Sequence, residues 1–192
     1  TEPAILDRLD PVARGKVFQA DLRALGVTEF GDLGLDAAAE LQLWLARVDN
    51  QAEDAIGSAF ASRGKTAKPR LEVFFNDLPM TLSRWPNDDF IKIQEVLGKT
   101  EISLLGTKGC KEGVFVYEGD RPRRWVAEHD AWVEGYWNRD WAMQRHKIAA
   151  LDTEKRIITL EQPFHYYGYR KGQWFRGFNL LCEIDQPGEW YA

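Results

Sequence analysis

The stretch of sequence that decides the fold covers residues 121–141 and reads RPRRWVAEHDAWVEGYWNRDW. It contains four of the eight tryptophans in the chain. From residue 131 to residue 137 the odd positions are apolar, whereas the even positions are Trp132, Glu134 and Tyr136. Side chains alternate between the two faces of a β-strand, so this pattern predicts a strand with one core face and one wetter face. On the wetter face, Glu134 would lie between two rings about 13 Å apart.

Two interpretations of this second face stay open. Aromatic side chains dominate both cores and interfaces, so in the first interpretation another part of the protein covers the face. In the second interpretation the face is a platform that stacks on sugars or binds a partner.

Alternating segments predict strands along most of the chain. Residues 70–75 and 78–85 are predicted to form a hairpin around Asn76-Asp77, and residues 143–163 a second hairpin. Further strands are predicted at 16–20, 90–93, 101–105 and 114–117, with a glycine-containing loop between the last two. Residues 178–185 are predicted to form one or two helical turns. The fold is therefore predicted to be mainly β, an antiparallel β-barrel or β-sandwich.

One long amphipathic helix is predicted over about residues 36–63. Asp36 is a suitable N-cap, and apolar residues recur with helical spacing for about seven turns. Arg63, Gly64 and Lys65 provide the stop signal. We expect the helix to pack its apolar stripe against a sheet, as an insertion over about residues 36–65 in a single domain that covers residues 1–192.

The composition indicates a globular chain with a core of its own. Hydrophobic residues make up 44% of the 192 residues and aromatic residues 12%. The net charge of −5 argues against nucleic acid as a partner, and no apolar run approaches the ~20 residues that span a bilayer. The arginines at 121, 123 and 124 are surrounded by acidic residues at 118, 120, 128 and 130, which indicates a mixed ionic surface. Cys110 and Cys182 form either one disulfide or two buried thiols.

No catalytic, metal or cofactor motif is found in the sequence. HExxH, paired-cysteine, GxSxG, P-loop and GxGxxG patterns are all absent. The three histidines, at 129, 146 and 165, are scattered, and we expect them to be ordinary surface or half-buried residues. Glycoside hydrolysis needs two nearby carboxylates, whereas Asp130 and Glu134 would lie about 13 Å apart on one strand. The sequence therefore predicts no catalytic residue, no cofactor and no metal site.

Several segments together resemble one region of secreted right-handed parallel β-helix proteins of the pectate-lyase-like superfamily, which includes glycoside hydrolases of the fucosidase and xylanase kind. The segments are ARGKVFQADLRALGVTEFG, LEVFFNDLPMTLSRWPNDDFIKI, YEGDRPRRW, AWVEGYWNRDWA and HYYGYRKGQWFRGFNLLCEIDQPGEWY. The resemblance implies a β-barrel or β-sandwich domain inserted among the early turns of a β-helix. The catalytic acids of that family lie on the β-helix, so no catalytic position is carried over. The helix at 36–63 departs from the family, where a short glycine-rich loop is expected.

The resemblance implies an excised, extracellular or periplasmic module that is not catalytic by itself. It would frame a substrate cleft or bind glycan by aromatic stacking, with carbohydrate or the parent β-helix domain as its partner and neither nucleic acid nor membrane. The alternatives are a purely structural docking domain and an autonomous polysaccharide-degrading glycosidase or lyase. The predicted glycan-binding or docking residues are Trp132, Glu134, Tyr136, Arg139, Asp140, Trp141, Tyr166, Tyr167, Tyr169 and Trp174.

Overall fold

The computed structural model describes residues 2–29, 71–104, 106–165 and 167–192. The predicted helix over residues 36–63 lies outside these ranges, and so does Tyr166. In chain order the strands are β1 (Phe74–Phe75), β2 (Leu78–Pro79), β3 (Thr81–Leu82), β4 (Arg84–Trp85), β5 (Ile91–Val96), β6 (Glu101–Leu104), β7 (Thr107–Cys110), β8 (Val114–Tyr117), β9 (Trp132–Tyr136), β10 (Met143–Asp152), β11 (Ile157–Leu160), β12 (Tyr169–Arg170), β13 (Trp174–Phe178) and β14 (Glu189–Trp190). The described helices are α1 (Pro3–Leu6) and two 3₁₀ helices, Arg121–Ala127 and Leu181–Glu183.

Within the described residues, six strands close into an antiparallel β-barrel. Neighbouring strands follow the order β13, β5, β8, β11, β10 and β9, and β9 pairs with β13 to complete the ring. Outside the ring, β4 extends one edge of β13, while β12, β7 and β6 form a small separate sheet. The prediction of a mainly β protein with a barrel architecture is therefore confirmed.

The barrel interior is filled by the face of β9 that the sequence assigned to the core. Ala131 is 6% exposed, and Val133 and Trp137 are fully buried. The Trp137 ring stacks on Phe175 of β13 at 5.7 Å between ring centroids, and Phe175 meets Phe115 of β8 edge-on at 5.1 Å. Aromatic rings from three strands thus meet at the barrel centre, in the offset and edge-on arrangements that such pairs prefer.

Gly135 on β9 lets β13 approach closely. A Cβ atom added at Gly135 would lie 2.7 Å from the Phe175 Cβ, closer than two such atoms can pack. The absent side chain therefore allows the pairing between β9 and β13 that closes the barrel.

Both predicted hairpins are confirmed, and two local predictions are wrong. Asn76 and Asp77 take positive φ angles of 50° and 62° between β1 and β2, while β10 pairs with β11 around residues 153–156. The expected loop between β6 and β8 contains β7. Residues 16–20 form no strand, and the chain before them packs as a small apolar cluster around Leu9 and Ala13 against the second 3₁₀ helix.

Candidate functional site

A mixed aromatic and ionic surface lies on the outside of the barrel, across β10, β9 and β13. The register places Arg145 of β10 and Arg176 of β13 on opposite sides of Glu134. Rings flank this charged row above and below. We call this surface the barrel-face strip; its residues are Trp132, Glu134, Tyr136, Arg145, Trp174 and Arg176.

Glu134 is held between two guanidinium groups. Its Oε2 accepts a hydrogen bond from Arg145 Nε at 3.1 Å, and its Oε1 accepts one from Arg176 Nε at 2.6 Å. Arg176 also makes an ion pair with Oε1 through Nη2. Glu134 is only 5% exposed, so on this part of the second face the carboxylate is covered by its neighbours. The charged row of Arg145, Glu134 and Arg176 thus contains two cations and one anion, and its net charge is positive.

The rings of the strip contact one another at steep angles. Tyr136 lies 6.0 Å from Trp174 with an interplanar angle of 58°, and Phe90 meets Tyr136 edge-on at 6.1 Å. Tyr136, Trp174 and Trp132 are all half-buried. The Tyr136 and Trp174 ring planes do not align into one flat platform of the kind that would stack on a sugar chain. The strip therefore has the character of a contact surface.

A second group of candidate residues lies on the turn from β9 to β10 and on the segment beside it. Trp141 is 68% exposed, and its ring meets Tyr167 edge-on at 5.5 Å. The guanidinium of Arg139 lies 5.6 Å from the centre of the same tyrosine ring. We call this group the turn cluster; its residues are Arg139, Asp140, Trp141, Tyr167 and Arg170.

A buried glutamine anchors the turn cluster to the barrel. Gln173, which is 3% exposed, donates from Nε2 to the Tyr136 carbonyl at 2.8 Å and to Asp140 Oδ1 at 3.1 Å. Its Oε1 accepts a hydrogen bond from Arg170 Nη2 at 2.9 Å, and Arg170 lies 3.6 Å from Asp140. Asp140 is thus fixed in position while its side chain stays 65% exposed. Sequence analysis missed Gln173, because a single glutamine carries no signal of its own.

Tyr169 does not belong to either surface, which corrects its prediction as a ligand-binding or docking residue. It is fully buried against the barrel core, and its hydroxyl accepts a hydrogen bond from the His165 backbone N–H at 2.9 Å. Burial raises the pKa of the Tyr169 hydroxyl. In this structure no ligand can reach the ring.

The expectation of ordinary surface or half-buried histidines is also wrong for His146 and His165. They are 4% and 3% exposed, and their rings lie 6.3 Å apart. Burial lowers the pKa of His146 to about 3, with a further contribution from His165, and burial lowers the pKa of His165 to about 4. Both rings are therefore neutral at physiological pH and act as packing groups.

Arg121 and Arg124 of the first 3₁₀ helix bind carboxylates that are buried or half-buried, whereas Arg123 pairs with Asp120 on the mixed ionic surface that the sequence indicated. Glu183 is fully buried and accepts hydrogen bonds from Arg121 Nη2 at 2.7 Å and from Trp125 Nε1 at 2.8 Å. Arg124 forms an ion pair with Asp10 at 2.9 Å. This network ties the start of the chain to the barrel, so its role is structural.

The two cysteines are free and buried. Burial raises the pKa of both thiols, and for Cys182 the nearby carboxylates of Glu128 and Glu183 raise it further. A nucleophilic cysteine needs a lowered thiol pKa, so neither has the properties of one.

Neither a metal cluster nor a membrane-spanning helix is found in the part of the chain that the structure describes. No three His, Cys, Asp or Glu side chains there are grouped so that they could hold a metal ion. No helix in the same ranges is long and apolar enough to cross a bilayer. Comparison of the chain with protein-family models, with curated proteins and with solved structures finds no match.

Proposed function

We propose that this chain is a non-catalytic accessory module that binds glycan at the turn cluster. The observation that supports the proposal is the exposure of Trp141, whose indole ring is 68% accessible beside two charged side chains. An exposed tryptophan ring next to a second aromatic ring, Tyr167, offers a ligand an apolar face to contact. An indole face suits the apolar face of a sugar ring, and this module would take a saccharide there.

Polar groups around Trp141 supply the orientation that a sugar needs. The Asp140 carboxylate is fixed by Gln173 yet remains exposed, so it can accept hydrogen bonds from sugar hydroxyls. Arg139 is held over the Tyr167 ring and can donate hydrogen bonds to sugar oxygens. An apolar surface with a few fixed polar groups is the usual design of a small-ligand site.

The sequence resemblance places this binding role in a larger protein. The parent would be a secreted carbohydrate-active β-helix protein, located outside the cell or in the periplasm, and the module would frame its substrate cleft. The partners are then carbohydrate and the β-helix domain itself. A barrel is the kind of domain that the resemblance implies, which supports the proposal without identifying the glycan.

Titration with plant and algal oligosaccharides tests the glycan proposal. The Trp141 indole N–H resonance and the tryptophan fluorescence are followed in the wild-type protein and in Trp141→Ala. We expect saturable shifts in the wild type that disappear in the variant while the melting temperature stays unchanged. Phe74→Ala, which truncates a similarly exposed ring (58%) elsewhere, is the matched control and should leave binding intact. No response to any oligosaccharide would contradict glycan binding by this chain.

A docking domain without a ligand of its own is the second candidate function, and the barrel-face strip favours it. Half-buried rings around a charged row resemble the centre of a protein interface. Trp132→Ala should then change association or stability and leave glycan titrations unaffected. Polysaccharide breakdown by the isolated chain that is abolished by Glu134→Gln or Asp140→Asn would instead support an autonomous enzyme.

A further inference from the structure

The β1–β2 hairpin exposes an unusual amount of apolar surface. Phe74, Phe75 and Leu78 are 58%, 65% and 69% exposed. The two phenyl rings alone present roughly 250 Å² to water, judged from the area that a buried ring covers. Several exposed apolar side chains on one short hairpin make it a candidate interaction site.

Apolar side chains occupy both faces of this hairpin. Phe75 lies opposite Leu78, and Phe74 lies opposite Pro79. Neighbouring residues of a strand point to opposite faces, so the first pair covers one face and the second pair covers the other. A hairpin with two apolar faces suits insertion between side chains of a partner better than packing flat on its own barrel.

The charge of the hairpin argues for a basic partner. Residues 71–80 read LEVFFNDLPM, with Glu72 and Asp77 as the only charged residues. Asp77 lies at the tip of the turn, at φ 62°. A segment with two acids and no base is repelled by anionic lipid head groups, so a membrane surface is a poor match.

The barrel-face strip has the complementary chemistry. Its charged row holds two guanidinium groups for one carboxylate, and Arg145 and Arg176 keep 29% and 20% of their side-chain surface exposed. Trp132 and Tyr136 stand on either side of the row, about 13 Å apart along β9. Both arginines therefore remain part-exposed between two aromatic rings, where an acidic group of a partner can reach them.

We propose that the β1–β2 hairpin of one copy docks on the barrel-face strip of a second copy. The Asp77 carboxylate then faces Arg145 and Arg176 and balances the excess positive charge of the strip. The apolar side chains of the hairpin pack against the rings of the strip. Each copy carries one hairpin and one strip, so we infer a reciprocal exchange, in which both contacts form within a twofold dimer. The inference rests on the docking role of the strip and is independent of glycan binding at the turn cluster.

Sedimentation equilibrium of the full chain from micromolar to near-millimolar concentration tests the inference. We expect reversible self-association that Asp77→Asn and Arg145→Ala each weaken by at least about tenfold. Asparagine also tolerates positive φ, so Asp77→Asn removes the charge and preserves the turn. Arg145→Ala leaves the ion pair between Glu134 and Arg176 in place. The effects of the two substitutions should be less than additive when they are combined, because both remove one contact.

A mixing experiment distinguishes this contact from any other. A hairpin variant, Phe75→Ser with Leu78→Ser, and the strip variant Arg145→Ala should each associate weakly alone. Mixed in equal amounts they should form a one-to-one complex, because one intact hairpin then meets one intact strip. Melting temperatures confirm that both variants are folded.

Three outcomes would overturn the inference. They are a monomer at every concentration, association that the hairpin variant leaves unchanged, and a mixture that forms no complex. Binding to vesicles of phosphatidylcholine and phosphatidylserine that the hairpin variant abolishes would assign the hairpin to lipid and equally overturn it. Oligosaccharide titrations of Asp77→Asn are expected to match the wild type, so failure of self-association and failure of glycan binding are read separately.

Discussion

Acid is expected to destabilise this fold between pH 7 and pH 5, through the two buried histidines of the barrel. His146 and His165 are 4% and 3% exposed, and burial lowers their pKa values to about 3 and about 4. The groups that face them are the Tyr169 hydroxyl, 3.5 Å from His146 Nε2, and Lys111, whose charge lowers the pKa of His165 further. The backbone carbonyls of Pro163 at His146, and of Gly168 and Ala142 at His165, favour a charged imidazole, but burial outweighs them and both pKa values stay low.

The sign and size of the effect follow from proton linkage. In the unfolded chain an imidazole has a pKa of about 6.5, so above that pH it is neutral in both states and folding is unaffected. As the pH falls below 6.5, the unfolded chain takes up protons that the folded barrel refuses, and stability falls. At pH 5 each histidine then costs about 2 kcal/mol, so the pair removes about 4 kcal/mol relative to pH 7. Small proteins have only about 5 to 15 kcal/mol in total.

Urea unfolding at pH 7 and pH 5 measures this difference. The wild type should lose about 4 kcal/mol between the two pH values, and His146→Gln or His165→Gln should each lose about 2 kcal/mol. Each variant serves as its own reference, so any packing defect of the substitution cancels in the pH difference. His129→Gln is the matched control, because His129 is exposed and should leave the wild-type loss unchanged.

Carboxylates do not obscure the result in this pH window. Hydrogen bonds from Thr100 lower the pKa of Glu112, so its contribution to stability is lost only at more acidic pH. Burial raises the pKa of Glu189, which acts in the opposite direction because its protonation favours the fold. Both contributions are equal in wild type and variants. A wild-type stability that is flat from pH 7 to pH 5, or a His129→Gln variant that loses as little as His146→Gln, would refute the reasoning.

Three substitutions test the packing and the buried charges by urea unfolding at pH 7. Trp125→Phe removes the indole donor to Glu183, at 2.8 Å, and should cost about 1.5 to 3 kcal/mol; a neutral result would mean that this bond is not made in solution. Gly177→Ala places a Cβ 2.6 Å from the Trp125 ring and 2.7 Å from Leu180, so we expect a loss of about 1 to 3 kcal/mol. Glu134→Ala leaves its two arginine partners facing each other and should cost about 2 kcal/mol, with part of the loss recovered in high salt; no recovery would argue against repulsion.

The strands were predictable where the signal is local. Alternation located β8 at residues 114–117 without error and assigned Val133 of β9, and Trp137 directly after it, to the core. The hairpin turn at Asn76-Asp77 was equally predictable, because these residue types tolerate positive φ. Such signals depend on neighbours along the chain and need no knowledge of the tertiary structure.

The partners of Glu134 were not predictable, because they depend on how the barrel closes. Arg176 lies forty-two residues further along the chain, and it faces Glu134 only because β13 pairs with β9. The assignment of Tyr169 failed for a different reason. Gly168, at φ 75°, breaks the extended conformation between Tyr167 and Tyr169, so one ring lies on the surface cluster and the other in the core.

Closure of the barrel also explains why the two candidate surfaces can act independently although β9 contributes to both. The outward side chains of β9 form the strip, with their partners fixed by the register to β10 and β13. The turn cluster begins beyond the end of β9 and is tied to it through Gln173, which bonds the backbone carbonyl of Tyr136 and not its ring. A ligand at Trp141 and a partner on the strip would therefore both bind next to β9 without sharing a side chain. β9 is paired along both edges within a closed barrel, and a shift in its register would break the pairing on both sides. Binding at one surface is therefore expected to move the strand, and with it the other surface, very little.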